Sequence, residues 1–254
     1  RKPTETEKSR ILTQIAQSSD SIVASGDISV KEADSFAELV IKNGYAWNRS
    51  FNGQAAVAGC QAILGNRVRL TLLSPTAQEL ERLAYVWRRE LLVMGVSHEA
   101  VDSPEFEGAF ERVLVYADSD SGEKETDISA GLSDNPPEPS TFVEDASPTN
   151  GSSIAFQLEC FGISVLFLGD AWPTVVSSQW KAQNPSDQRR HIDLIKVAHH
   201  GSRHNTSPEL LDQLTAQHFM ISTDGSKHGH PNIEALLWIA DKCPTGISLM
   251  FNYP

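Results

Sequence analysis

From residue 152 onward the chain alternates between short apolar runs ending in turn residues and stretches whose apolar positions recur at helical spacing. SSIAFQLECFGISVLFLGD reads as a β-hairpin turning near Phe161 and Gly162, since two runs rich in Ile, Leu, Phe and Val flank that pair. HIDLIKVAHH is the next strand, and SPELLDQL a short helix with Ser207 as N-cap and Pro208 at its first position. HFMIST reads as a strand, PNIEALLWIADK as a helix and GISLMFNY as a last strand. Strands alternating with helices predict an α/β layered fold.

Upstream, EKSRILTQIAQ places Ile11, Leu12 and Ile15 on one helical face, and SVKEADSFAELVIKNG runs from the N-cap candidate Ser29 to a stop at Gly44. RVRLTLLSP, Arg67 to Pro75, predicts a strand. Thr76 and Glu79 then form a capping-box start for a helix whose apolar positions run through Leu80, Leu83, Val86, Leu91 and Leu92. Between about 117 and 149 the composition shifts to Ser, Asp, Glu, Gly and Pro, which predicts a disordered acidic loop inserted in one α/β domain spanning 1–254.

Composition narrows the possible functions. The chain has 254 residues, 40% of them hydrophobic, enough to bury a substantial core. No apolar run approaches the roughly 20 residues of a membrane helix, so a cytoplasmic protein without a membrane partner is expected. Cys60, Cys160 and Cys243 are odd in number and widely spaced, which suits buried free thiols rather than a disulfide framework. A net charge of −12 argues against a broad basic surface for gripping phosphates. It leaves open a phosphodiester substrate at a metal centre, which brings its own positive charge.

The candidate chemistry lies where three strand-like runs end: VLFLGD at Asp170, IKVAHHGS at His199 and His200, and FMISTDGSKHGHP at His228 and His230. Strands lying side by side can each deliver one ligand to the same sheet edge. Adjacent histidines on a strand would face opposite sides, so both reach one site only where the chain leaves the strand near Gly201. One of them is then a metal ligand and the other a neighbouring or proton-transfer group. Of the later pair His230 is favoured, because Pro231 fixes the backbone beside it.

GDA, then HHGS, then GHP, with strands between, resembles the C-terminal half of the metallo-β-lactamase fold, in particular the branch related to the DNA-uptake protein ComEC. The resemblance covers roughly residues 150 to 231, with a weaker match over 67–95. It implies a four-layer αββα sandwich, with Asp170 bridging two metal ions and His230 and one of His199 or His200 holding or flanking them. Zn²⁺ suits histidine with carboxylate, and Mn²⁺ is the alternative. Asn150, similar to an Asn of the ComEC branch, either orients substrate or a metal-bound water, or opens an Asx turn. Ser202 either binds a phosphate oxygen or serves as a turn residue. The activity implied is metal-dependent hydrolysis of a phosphodiester in nucleic acid or a nucleotide, in a bacterial defence setting.

The HxHxDH signature of that fold is absent, since His98 is the only histidine before residue 191. Two readings follow. Either the sequence is a piece of a longer protein whose remainder carries the signature, the favoured expectation, or it is a non-catalytic scaffold or partner-binding module. A third possibility is that another chain supplies the missing ligands.

Overall fold

The computed structural model describes residues 40, 43–46, 48–65, 67–93, 141–185, 189–226, 229–243 and 246–253. The helices expected before Gly44 lie outside these, apart from the end of the second. There Gly44 takes the left-handed φ of 66° and the Tyr45 N–H donates to the Val40 carbonyl at 3.0 Å, as a helix stop requires. The chain divides into two compact units, residues 1–55 with 77–119 and residues 56–76 with 120–254.

In the first unit, Asn48 and Asn52 adopt left-handed conformations around the turn Arg49–Phe51, and the Asn48 side chain donates to the Gln54 carbonyl at 2.9 Å. Its described helix, α1 (Ala77–Val93), begins directly after Thr76, where the capping-box pattern placed it, and Leu83 on it is fully buried.

The second unit is an α/β structure on one seven-stranded mixed sheet, with strands β1 (Gln61–Leu64), β2 (Val68–Ser74), β3 (Ala155–Cys160), β4 (Ile163–Phe167), β5 (Arg190–Lys196), β6 (Leu214–Ile221) and β7 (Ser248–Phe251) in sequential order. β1 to β4 pair antiparallel, and β4 to β7 parallel. The expected hairpin is β3–β4. Its two-residue turn uses Phe161 at φ 53° and Gly162 at φ 81°, the positive angles that match the twist of paired strands.

The described helices of the unit are α2 (Pro148–Gly151), α3 (Pro173–Gln183), α4 (Pro208–Leu211) and α5 (Ile233–Lys242). Parallel strands need crossovers, and α3, α4 and α5 supply them. Each packs on the next, so the three cover the same face of the sheet. α3 buries Val176 and Trp180 one turn apart, and α5 buries Ala235, Trp238 and Ile239. Val176, Trp180, Trp238 and Ile239 meet Ile195, Val197, Phe219 and Ile221 in one continuous core. Each large side chain so buried stabilises the fold by about 2 kcal/mol. Ser207 caps α4 as expected, its hydroxyl accepting from the Leu210 N–H at 3.1 Å.

The acidic stretch is ordered at its C-terminal end. Phe142 packs edge-on against Trp238 with centroids 6.0 Å apart. Glu144 accepts from the N–H and hydroxyl of Thr174 at 2.9 and 2.8 Å, which sets a carboxylate at the N-terminus of α3. Composition suggested disorder because Ser, Asp and Pro form no core, but these residues order 141–149 through hydrogen bonds to neighbouring segments. The remainder of that stretch, 117–140, lies outside the described residues. The three cysteines are free and half-buried rather than buried. Burial pushes the Cys243 thiol up, partly opposed by the nearby Arg189 guanidinium.

Candidate functional site

β4, β5 and β6 end in register, with Phe167 beside Lys196 and Lys196 beside Met220. The segments that leave these ends therefore share one sheet edge. That is where ligands gather in open α/β sheets. From β4 comes Gly169–Asp170, from β5 the turn Ala198–Gly201, and from β6 the loop that returns to His230.

β5 ends at Lys196, earlier than the sequence suggested, so the chain has left the strand before either histidine. His199 and His200 both take left-handed conformations, φ 39° and 58°, inside the turn. The alternation of a strand no longer applies to them, and their rings meet edge to face with centroids 5.9 Å apart. Left-handed backbone costs a residue with a Cβ on the order of 1 kcal/mol or more.

The turn is held from three sides. The His199 N–H donates to the Gly169 carbonyl at 2.9 Å and the Asn232 N–H to the Gly201 carbonyl at 3.0 Å. Gly201 has φ 90°, and a Cβ there would stand 2.6 Å from the Pro231 Cβ, so both conformation and close approach demand glycine. His230, on the far side of Pro231, is 7% exposed, and its ring centroid lies 5.3 Å from that of His199.

Each imidazole of the turn is tied at Nδ1. His200 Nδ1 bonds the Ser222 carbonyl, which can only accept, so this nitrogen carries the proton. His199 Nδ1 lies 2.9 Å from Asn205 Oδ1. Asn205 is 1% exposed, and its Nδ2 donates to Asp145 Oδ2 and to the Asp170 carbonyl, both at 3.0 Å. In the neutral His200 ring Nε2 is then the nitrogen with the lone pair.

Asp145 is a second centre of contacts. Besides Asn205, its carboxylate accepts from Asn150 Nδ2 at 2.7 Å and from the Ser147 N–H at 2.7 Å, and lies 3.9 Å from His199 Nδ1. The Asp145 N–H donates to the His204 carbonyl at 3.1 Å, and His204 Nδ1 lies 2.8 Å from the Val143 carbonyl, docking this segment on the HHGS loop.

The structure therefore brings Asn150, Asp170, His199, His200 and His230 to one region. Asn150 lies in α2 with its amide on Asp145. Lys196 Nζ donates to the Val197 carbonyl at 2.9 Å, and burial lowers its pKa while the charge of the Asp170 carboxylate partly restores it. Ser202 is 2% exposed and its hydroxyl accepts from the His204 N–H at 3.1 Å, a contact within its own loop. His228 lies outside the described residues. Asp145, Asn205 and Lys196 were not singled out from the sequence. The Asn of HHGSRHN, six residues after His199, carried the nearest available signal.

Carboxylate and imidazole are the donor types Zn²⁺ or Mn²⁺ would take. Among the described residues, however, no three of His, Cys, Asp and Glu come together as a metal ion would require. The donors fit in kind and fall short in number. Comparison of the chain with protein-family profiles, with curated proteins and with solved structures gives no match. No helix among the described residues is long and apolar enough to cross a membrane.

Proposed function

We propose that this sheet edge is a hydrolytic site and that the chain forms all or part of a phosphodiesterase of the metallo-β-lactamase type, acting on nucleic acid or nucleotides. The observation that carries the reading is the His199–His200 pair. Two consecutive strained residues, both tied at Nδ1 with Nε2 left for chemistry, are an arrangement more costly than a plain turn, and such strain concentrates where function requires it. His199 is the group suited to take a proton from an attacking water. The Asp145 carboxylate, 3.9 Å from its Nδ1, would stabilise the imidazolium that results.

By the resemblance Asp170, His200 and His230 would be this chain's candidate ligands for Zn²⁺ or Mn²⁺, although the three do not gather into one cluster as placed; a metal held by them would supply positive charge for a phosphoryl oxygen. Further ligands would have to come from beyond the described residues or from another chain. The four-layer sandwich belongs to the same proposal.

The test is hydrolysis by the full chain of a panel comprising single- and double-stranded DNA, RNA, a cyclic dinucleotide, bis(p-nitrophenyl) phosphate and a lactone, each with Zn²⁺ or Mn²⁺. Phosphodiester turnover that falls about 100-fold or more in His199→Ala is expected. Lactone turnover alone would move the substrate class. A second reading, a partner-binding scaffold, is favoured by the shortfall of metal donors among the described residues. Absence of turnover on the whole panel would select it.

A further inference from the structure

We infer that Asn205 is a positioning residue that fixes the tautomer of His199. This deepens the proposed function, resting on the reading of His199 as the proton-accepting group. An asparagine amide can in general be turned by 180°, exchanging oxygen for nitrogen, and that choice decides what it offers a neighbour. At Asn205 the choice is settled by two oxygens. Asp145 Oδ2 and the Asp170 backbone carbonyl both lie 3.0 Å from the same side-chain atom, and both can only accept. That atom is the amide nitrogen. Turning the amide would set three oxygens against one another in a place where Asn205 is 1% exposed and no water intervenes cheaply.

Oδ1 is therefore the atom facing His199 Nδ1 at 2.9 Å, and it accepts. The proton of the neutral ring is held on Nδ1, and the Nε2 lone pair is available to take a proton. With the opposite tautomer Nε2 would already carry a hydrogen and could not act as a base. Asp145, Asp170 and Asn205 thus set the tautomer of the neutral His199 ring. The Asp170 contact also couples the amide to the end of β4, so Asn205 reads the placement of two strand ends at once.

The test is ¹⁵N NMR of the imidazoles in the full chain, at a pH where they are neutral, with the His199 signals identified by their loss in His199→Gln. The wild type should show His199 protonated at Nδ1. In Asn205→Ala this preference should be lost and kcat should fall tenfold to a hundredfold, with KM little changed. Asn205→Asp discriminates positioning from structure, since it keeps an acceptor for Nδ1–H but sets its second oxygen against Asp145 Oδ2 and the Asp170 carbonyl. It should be less stable than the wild type to urea yet retain the Nδ1–H form of the neutral ring while folded, where Asn205→Ala does not. A wild-type His199 protonated at Nε2 overturns the inference without any variant, as does an unchanged tautomer in folded Asn205→Ala. The spectrum is read without substrate, so an Nδ1–H ring in a chain that hydrolyses nothing would refute the proposed activity and leave the tautomer assignment standing.

Discussion

His200 is held at φ 58° although most residues with a Cβ avoid that region. If its conformation serves chemistry at the expense of stability, His200→Gly should remove the strain. The expected outcome is a gain of about 1 kcal/mol in urea denaturation, less what glycine adds to the freedom of the unfolded chain, together with loss of hydrolysis. A drop in stability would mean instead that the bond from its Nδ1 to the Ser222 carbonyl outweighs the strain. At this scale the sequence shows HHGS and GHP, because the residues that carry them are contiguous. It does not show Asn205 or Asp145, whose roles arise only when segments 60 residues apart meet.

At the scale of elements, Gly201 joins the exit of β5 to the His230–Pro231 loop. Gly201→Ala must place a Cβ 2.6 Å from Pro231 at a left-handed φ, and is expected to lower stability by about 2 kcal/mol or more and to weaken hydrolysis in parallel. Equal stability in a denaturant titration would contradict the close packing of these two loops. Asp193 on β5 ties that strand to β4 by accepting from the Ser164 N–H at 2.7 Å, a bond that holds its carboxyl below the ordinary 3.8. A depressed carboxyl contributes stability above its unfolded value that is lost as pH falls through the folded one. Stability should therefore decline between about pH 4 and lower values, and decline less in Asp193→Asn, as followed by circular dichroism. The strands and helices here were largely legible because their apolar periods differ, 2 against 3.6, and turn residues mark their ends. The end of β5 was not, since apolar Val197 and Ala198 continue a strand-like pattern while the backbone, still extended at Val197, turns from Ala198 on.

For the whole molecule, a sheet whose parallel strands end together brings Asp170, the histidine turn and His230 to one edge, and the α/β class follows from the alternation of elements along the chain. Composition described the acidic stretch less well. Counting Ser, Asp and Pro predicts no core, yet Phe142, Glu144 and Asp145 fasten 141–149 to the site through one aromatic contact and directed hydrogen bonds. The donors present at the edge suit a metal in type, while the described residues do not gather three of them. The measurement that tests the hydrolytic assignment most directly is the rate of phosphodiester hydrolysis by the full chain as Zn²⁺ or Mn²⁺ is titrated, wild type beside Asp170→Ala. A rate that saturates with metal and disappears in the variant is the predicted result; no metal-dependent rate in the wild type, or an equal rate in both, would contradict it.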